Sequence, residues 1–298
     1  MDIKNIAREL HDFCFDFKDM FVCHQHNKTT TAYQYICGLI QSDRRNLERM
    51  EEHVVETDYD VLQHFISNSP WDARAVMNKV SQKSDSLLGG TGKTGLLIDE
   101  TAFAKKGKCS AGVAKQWNGR LGKTENSQVG VFAALCAGDR VVPIDAELFL
   151  PEEWSNDRER CLQSSIPEDR LIHKTKPELA LEMVHRQREL GIRFDYVCAD
   201  GLYGNSFAFC KALDDASEVF LVHVHADQRI YKEDPQPRIP LRTSDRGRRP
   251  SKLKAQCEPV RVDELFEELS DDDLVRIAVR NTTSGVLFVS AYRREVWV

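Results

Sequence analysis

Residues 96–100 read LLIDE and residues 196–204 read YVCADGLYG, and these two stretches decide the fold class. Each is an apolar run that ends in an acid, Asp99 in the first and Asp200 in the second. Side chains alternate between the two faces of a strand, so Asp99 and Glu100 would point in opposite directions. The pattern predicts two strands, each with a carboxylate at its carboxyl end.

Carboxylates at the ends of buried strands are costly unless they are paired or bind a cation. If the two strands are neighbours, Asp99 and Asp200 would together attract a divalent ion, which prefers oxygen ligands. The sequence also leaves a second interpretation open, in which each aspartate simply caps a turn or a helix.

The segments around the two acids have the alternation that is typical of a mixed α/β domain. Three strands, a helix, a strand, a helix and a last strand are predicted, at 96–99, 127–136, 141–150, 176–190, 194–200, 205–214 and 219–224. A helical stripe beginning Ile3, Ile6 and Leu10 predicts that the amino-terminal region is helical, and Ser69 is a candidate N-cap for its last helix.

Four regions follow from these patterns. Residues 1–85 are predicted to be a helical domain, 86–95 a linker within the polar, glycine-rich stretch 81–95, 96–225 the α/β core, and 226–298 a β-rich segment. The β-rich segment has strand-like runs at 274–280 and 286–298. Because the second run is apolar to its end, we expect that the parent protein continues into the same sheet.

The overall composition excludes several classes of protein. A chain of 298 residues with 41% hydrophobic content can form an ordinary buried core. The chain has no apolar run of the roughly 18 residues that cross a bilayer, and the nine scattered cysteines include no CxxC pair, so we expect a protein inside the cell. Its net charge of −6 means that any contact with nucleic acid must come from local basic patches.

The stretch GGTGKTG at 89–95 resembles part of a phosphate-binding loop but does not fit one. A phosphate loop has the spacing GxxxxGK[ST], which would require glycine at Leu87, and it follows a strand and begins a helix. Here the stretch precedes a strand. An ATP-driven regulator is therefore an alternative that the sequence disfavours.

Residues 96–135 and 196–213 are similar to the two catalytic blocks of insertion-sequence DDE transposases of the superfamily-endonuclease type. The resemblance extends to further segments, LQHFISNSPWDARAV at 62–76, LFLPEEW at 148–154 and TKPELALEMV at 175–184. It therefore covers most of residues 30–225.

The resemblance implies an RNase H-like core, in which a mixed sheet is flanked by helices, preceded by the helical domain and followed by the start of a β-rich insertion. The first catalytic acid of this family lies on the first strand and the second just after the fourth, which matches Asp99 and Asp200. They would be metal ligands for Mg²⁺, with Mn²⁺ as an alternative. The family pattern of an acid, any residue and then Ser or Thr favours Asp99 over Glu100, which we expect to point away.

The resemblance also implies double-stranded DNA as the partner, both as the terminal inverted repeats of a transposon and as target DNA, with a homodimer on the DNA in the bacterial cytoplasm at the nucleoid. The helical domain would bind the repeats. Basic residues in two patches are predicted to contact DNA, namely Lys105, Lys106, Lys108, Arg246, Arg248, Arg249 and Lys252.

The third acid of the family, a glutamate on a helix after the insertion, has no clear counterpart. Glu295 follows Tyr292 in YRRE, but the spacing differs from the family signature and the run is strand-like. We therefore expect the chain to lack its third catalytic acid. A non-catalytic DNA-binding remnant, or an inhibitor of an intact transposase, is the alternative function.

Overall fold

The computed structural model describes residues 3–23, 26–241 and 249–298. The chain divides into two compact units, of which the first comprises Met1–Cys198 with Ala212–Leu221 and the second Ala199–Lys211 with Val222–Val298. Within the described ranges, no helix combines the length and the apolar character needed to cross a membrane.

The first unit begins with helices, as the spacing of apolar residues predicts. They are α1 (Ile3–Phe15), α2 (Thr29–Gln41), α3 (Leu47–Glu51), α4 (Tyr59–Ser67) and α5 (Ala73–Leu88), with two short strands, β1 (Val22–Cys23) and β2 (His26–Asn27), between α1 and α2. Phe17, Phe21, Ala32 and Phe65 form a core among them. Trp71 stacks on Phe65, with ring centroids 5.7 Å apart.

Helix α5 differs from its prediction at both ends. Its N-cap is Asp72, whose carboxylate accepts a hydrogen bond from the Ala75 amide at 2.8 Å, rather than Ser69. The helix continues to Leu88, so residues 81–88, predicted as part of a linker, are helical. The buried face of this helix includes serine, and the Ser81 hydroxyl donates a hydrogen bond to the Ile144 carbonyl at 3.0 Å. A search for apolar periodicity does not detect a buried face that contains polar residues.

The central sheet has six strands in the order β4-β5-β3-β7-β8, with β6 also paired to β5. Their bounds are Thr94–Ala104 (β3), Ala114–Asn118 (β4), Lys123–Ala137 (β5), Arg140–Leu148 (β6), Tyr196–Ala199 (β7) and Phe220–Val222 (β8). Strand β3 pairs antiparallel with one edge of β5, while β4 and β6 pair with successive parts of its other edge. The predicted mixed α/β fold with an RNase H-like core is confirmed.

Strand β4 is absent from the sequence prediction, because Lys115, Gln116 and Asn118 interrupt its apolar residues. The core helices were predicted in part. They are α6 (Glu152–Ser155), α7 (Arg158–Gln163), α8 (Lys176–Glu189), α9 (Gly201–Gly204) and α10 (Phe207–Asp215). Helix α8 begins with a capping box between Thr175 and Glu178, which fixes its start.

One face of the sheet is covered by helices, because α5 and α8 both pack against β5 and β6. Alternate residues of β5 are buried on that face, namely Ser127, Val129, Val131, Ala133 and Leu135. The residues between them belong to the opposite face and are partly accessible. The two faces therefore have different environments, and the acids of β3 divide between them.

A buried ion cluster, formed by Arg74, Asp145, Glu147, Arg170 and Arg186, joins the helices to the sheet. Asp145 and Glu147 lie on β6 and are almost fully buried. Arg74 of α5 donates to Asp145 at 2.6 Å and to Glu147 at 2.8 Å, and Arg186 of α8 donates to Glu147 at 2.7 Å. The cluster thus connects α5, the last amino-terminal helix, to the central sheet.

Gly95, the last glycine of GGTGKTG, has a packing role. A Cβ added at Gly95 would lie 2.6 Å from the ring of Tyr196, so only glycine leaves room for that ring. The stretch follows helix α5 and leads into β3, the reverse of the order in a phosphate loop. This order agrees with the sequence argument against a phosphate loop.

The second unit contains the predicted β-rich segment. Its elements after β8 are β9 (Arg229–Ile230), β10 (Val260–Arg261), α11 (Val262–Glu267), β11 (Val275–Thr282) and β12 (Gly285–Ala291). Strands β11 and β12 form an antiparallel pair, as predicted for this segment. The predicted strand 286–298 is too long, because β12 ends at Ala291 and Trp297 instead bridges to Tyr231.

Candidate functional site

Asp99 lies in the middle of β3, where that strand is paired along its whole length with β5. Its register partner is Phe132, and Phe103 on the same face of β3 contacts the Phe132 ring edge-on at 6.4 Å. The Asp99 carboxylate is exposed, and its Oδ1 accepts a hydrogen bond from the Glu100 amide at 2.8 Å. Asp99 therefore belongs to the sheet face that α5 and α8 leave uncovered.

Glu100 lies on the opposite face of β3, which packs against α8. Its Oε1 accepts a hydrogen bond from the Lys176 ammonium at 2.9 Å, and both side chains are less than one-fifth exposed, at 19% and 17%. Its Oε2 is buried and has no hydrogen-bond partner among the residues that the structure describes. A buried carboxylate oxygen without a donor is unfavourable unless a cation or a water satisfies it.

Asp200 belongs to the second unit and directly follows β7. Its Oδ1 accepts a hydrogen bond from the Leu202 amide at 3.0 Å, so it is the N-cap of α9, as the second interpretation of the sequence allowed. A carboxylate offers about four acceptor positions, so a capping bond leaves capacity for a cation. Gly204 allows close packing, because an added Cβ would lie 1.9 Å from the His223 carbonyl oxygen.

Asp99 lies on β3 and Asp200 directly follows β7, and these two strands are neighbours in the sheet order. The prediction that Asp99 ends its strand is wrong, because pairing with β5 continues to Ala104. Glu100 lies beside Asp99 in the sequence but on the other face of β3, in line with strand alternation. Glu295 is exposed.

The loop 105–112, named here the lysine loop, carries Lys105, Lys106 and Lys108 and is held by side chains from neighbouring elements. Asn126 of β5 donates from Nδ2 to the carbonyls of Lys105 at 2.6 Å and Gly107 at 2.8 Å. Three more side chains donate hydrogen bonds to carbonyls of the loop: Gln128 to Ala111 at 2.8 Å, Arg160 to Lys108 at 3.1 Å and Ser164 to Cys109 at 3.3 Å. The main chain of the loop is thus held in place, with Lys106 and Lys108 exposed and Lys105 half-buried.

Substituting Ala for Asn126 is expected to release the lysine loop. Two carbonyls would lose their donor, and we expect the free energy of unfolding to fall by about 1–2 kcal/mol. Hydrogen exchange at residues 105–110, followed by mass spectrometry, should accelerate more than exchange in β6. An unchanged exchange rate in the loop would contradict this role for Asn126, and Asn205→Ala provides a matched control in another part of the fold.

The second predicted basic patch lies partly outside the described residues, which do not include Arg246 and Arg248. Arg249 and Lys252 are described and exposed. Asn126 and Gln128 were not identified from the sequence. The signal available was a pair of amide residues in the polar first part of the strand, on the face that alternation assigns to the exterior.

The chain is similar to known proteins over most of its length. Residues 19–286 match the DDE superfamily endonuclease family. The chain is 29% identical over 224 residues to the probable transposase for insertion sequence element IS701 of Microchaete diplosiphon, and the match covers 74% of this chain. The same match covers 54% of the transposase, so the chain spans about half the length of this relative.

Proposed function

This chain belongs to the DDE superfamily endonuclease family, and from that membership we propose that it is a DNA transposase that cleaves and joins strands at the ends of an insertion sequence. The observation that carries the proposal is the placement of Asp99 and Asp200 directly on and after two neighbouring strands of the sheet. A carboxylate on each of two neighbouring strands fits the metal-dependent phosphodiester cleavage of the family, which uses several carboxylates.

The acids also have the chemistry that the family's divalent metal needs. Mg²⁺ is a hard ion that takes oxygen ligands, and Mn²⁺ accepts the same donors. Asp99 and Asp200 would hold it, and the buried, unpartnered Oε2 of Glu100 supports a cation at this position. When bound, the metal would activate water or a DNA 3′-hydroxyl for attack on phosphorus and stabilise the leaving oxygen. Lys176 fixes Glu100 by holding its other oxygen.

DNA is the partner that the basic residues fit. Lys105, Lys106 and Lys108 would contact phosphates of the transposon ends, and Arg249 and Lys252 would contact the backbone elsewhere. We further propose that residues 1–85 bind the terminal inverted repeats, that 226–298 belong to a β-rich insertion, and that two copies act together on DNA. That the chain lacks its third catalytic acid stays a prediction, since Glu295 matches the family signature neither in spacing nor in secondary structure.

A nicking assay tests the proposed reaction. Supercoiled plasmid carrying the ends of the element should be nicked by the chain in Mg²⁺ or Mn²⁺, and excess EDTA should abolish nicking because the acids alone cannot activate a nucleophile. Gel electrophoresis of the plasmid forms measures the effect. The same plasmid without the ends is the control for sequence recognition.

The outcomes separate the alternatives. Nicking that persists in EDTA would contradict a metal-dependent site. DNA binding without nicking, together with calorimetric binding of Mn²⁺, would favour the non-catalytic remnant or inhibitor. Absence of both metal binding and DNA binding would contradict the proposal as a whole.

A further inference from the structure

Trp117 is an exposed tryptophan on β4, and its exposure is unusual for so large an apolar ring. The side chain is 62% exposed, whereas its strand neighbours Ala114 and Asn118 are buried. Strand β4 pairs with the first part of β5, and Trp117 lies opposite Thr124. An exposed tryptophan on a paired, regular strand has a fixed backbone and a free ring face, which suits it to contact another molecule.

The register places Trp117 on the same sheet face as Asp99. Residues directly opposite each other on paired strands point to the same face, and alternate residues of one strand share a face. Trp117 pairs with Thr124 and Asp99 pairs with Phe132, and these two positions on β5 are an even number of residues apart. This is the face that α5 and α8 do not cover.

Positive charge lies on the same face beside Trp117. Lys115 is two residues before it on β4, is exposed, and pairs with Asn126. The Asn126 side chain in turn holds the lysine loop, which contributes Lys105, Lys106 and Lys108. Trp117 thus shares its strand face with Lys115, whose register partner Asn126 anchors the lysine loop, and a polyanion is the partner whose charge complements these lysines.

The distance from Trp117 to Asp99 suits a stretch of nucleic acid. The two register positions, Thr124 and Phe132, are eight residues apart on β5, which corresponds to about 27 Å at ~3.4 Å per residue. The same length is about eight base pairs of DNA at ~3.4 Å per step. One DNA segment can thus reach both residues along the uncovered face.

We propose that Trp117 is a stacking platform for an unpaired base of the DNA substrate, with Lys115 and the lysine loop holding the flanking phosphates. The inference rests on the proposed function and adds a residue that distinguishes distorted or single-stranded DNA from a paired duplex. Stacking requires an open base face, which a continuous duplex does not offer, and an indole ring is a suitable surface for any base.

The test compares binding of labelled single-stranded oligothymidylate with binding of a fully paired duplex, by fluorescence anisotropy. Trp117→Ala should raise the Kd for the single strand about tenfold and leave the Kd for the duplex within about twofold. Trp117→Phe should retain most of the affinity, because a ring remains. Trp297→Ala is the matched control, since Trp297 is also exposed and lies on another part of the chain.

A second readout detects stacking directly. Binding of the oligothymidylate should quench tryptophan emission in the unmodified chain, and the quenching should be largely lost in Trp117→Phe but kept in Trp297→Phe. Circular dichroism and thermal melting check that each variant is folded.

Three outcomes would contradict a stacking role for Trp117. A folded Trp117→Ala variant that binds the single strand with unchanged affinity and quenching would overturn the inference while leaving the transposase proposal intact. A change in oligomeric state by light scattering, without a change in DNA affinity, would identify Trp117 as a contact between copies and would also overturn it. If the unmodified chain binds neither DNA, the proposed function itself fails.

Discussion

Nicking by the Asp99→Asn variant is expected to fall at least about 100-fold below that of the unmodified chain, at unchanged Mg²⁺ concentration. The substitution keeps the size of the side chain and its capacity to accept the Glu100 amide hydrogen bond, but it removes the negative charge that a hard cation requires. Asp200→Asn should have an effect of similar size. Plasmid nicking rates measure the loss of activity, and calorimetric titration with Mn²⁺ measures the loss of cation binding.

The controls for this prediction separate chemistry from folding. Both variants should keep the melting temperature of the unmodified chain within a few degrees. Asp99 is exposed, and in Asp200→Asn the new side-chain amide oxygen can still accept the capping hydrogen bond of α9. Glu295→Gln should retain nicking, because Glu295 is exposed and does not match the position of the family's third acid. Full activity in either aspartate variant would show that the metal site lies elsewhere.

The second large effect is expected on stability, from Asp145→Ala in the buried ion cluster. Asp145 has no exposed side-chain surface and accepts hydrogen bonds from Arg74 at 2.6 Å and from Gln187 at 2.9 Å. Its removal leaves Arg74 and Arg186 partly uncompensated in a buried position. We expect the free energy of unfolding to fall by about 3–5 kcal/mol, measured by urea denaturation.

A matched control is available on the surface of α8, the helix that carries Arg186. Glu182 of α8 forms an ion pair with Lys174, and both side chains are more than one-third exposed. Glu182→Gln should therefore change the free energy of unfolding by less than about 1 kcal/mol, because water screens exposed pairs. If both substitutions cost equally little, the cluster would not be the link between α5, α8 and the sheet that its geometry indicates.

The strands beside the two predicted acids could be located from the sequence because their signals are local. Asp99 and Asp200 each end an apolar run, and the order of strands and helices between them follows from periodicity. Family resemblance then assigned the two strands to positions in one fold. The sheet order, with β3 beside β7, agrees with that assignment.

Other features depend on contacts between residues far apart in the chain. Arg74 and Asp145 are 71 positions apart, so no local pattern indicates that the two charges meet. The end of α5 was missed because Ser81 packs against β6 through a hydroxyl rather than an apolar group. Glu100 pairs with Lys176, 76 positions away, and no local pattern indicates that contact either.

The anchoring of the lysine loop has a thermodynamic consequence for binding. Ordering a loop on contact with a ligand costs about 1–2 kcal/mol of conformational entropy for each residue fixed. Here Asn126 and Gln128 already hold the main chain through hydrogen bonds to loop carbonyls. The loop is therefore already ordered before it binds. Little conformational entropy would be lost when its ammonium groups contact a phosphate backbone, so most of their electrostatic attraction would contribute to affinity.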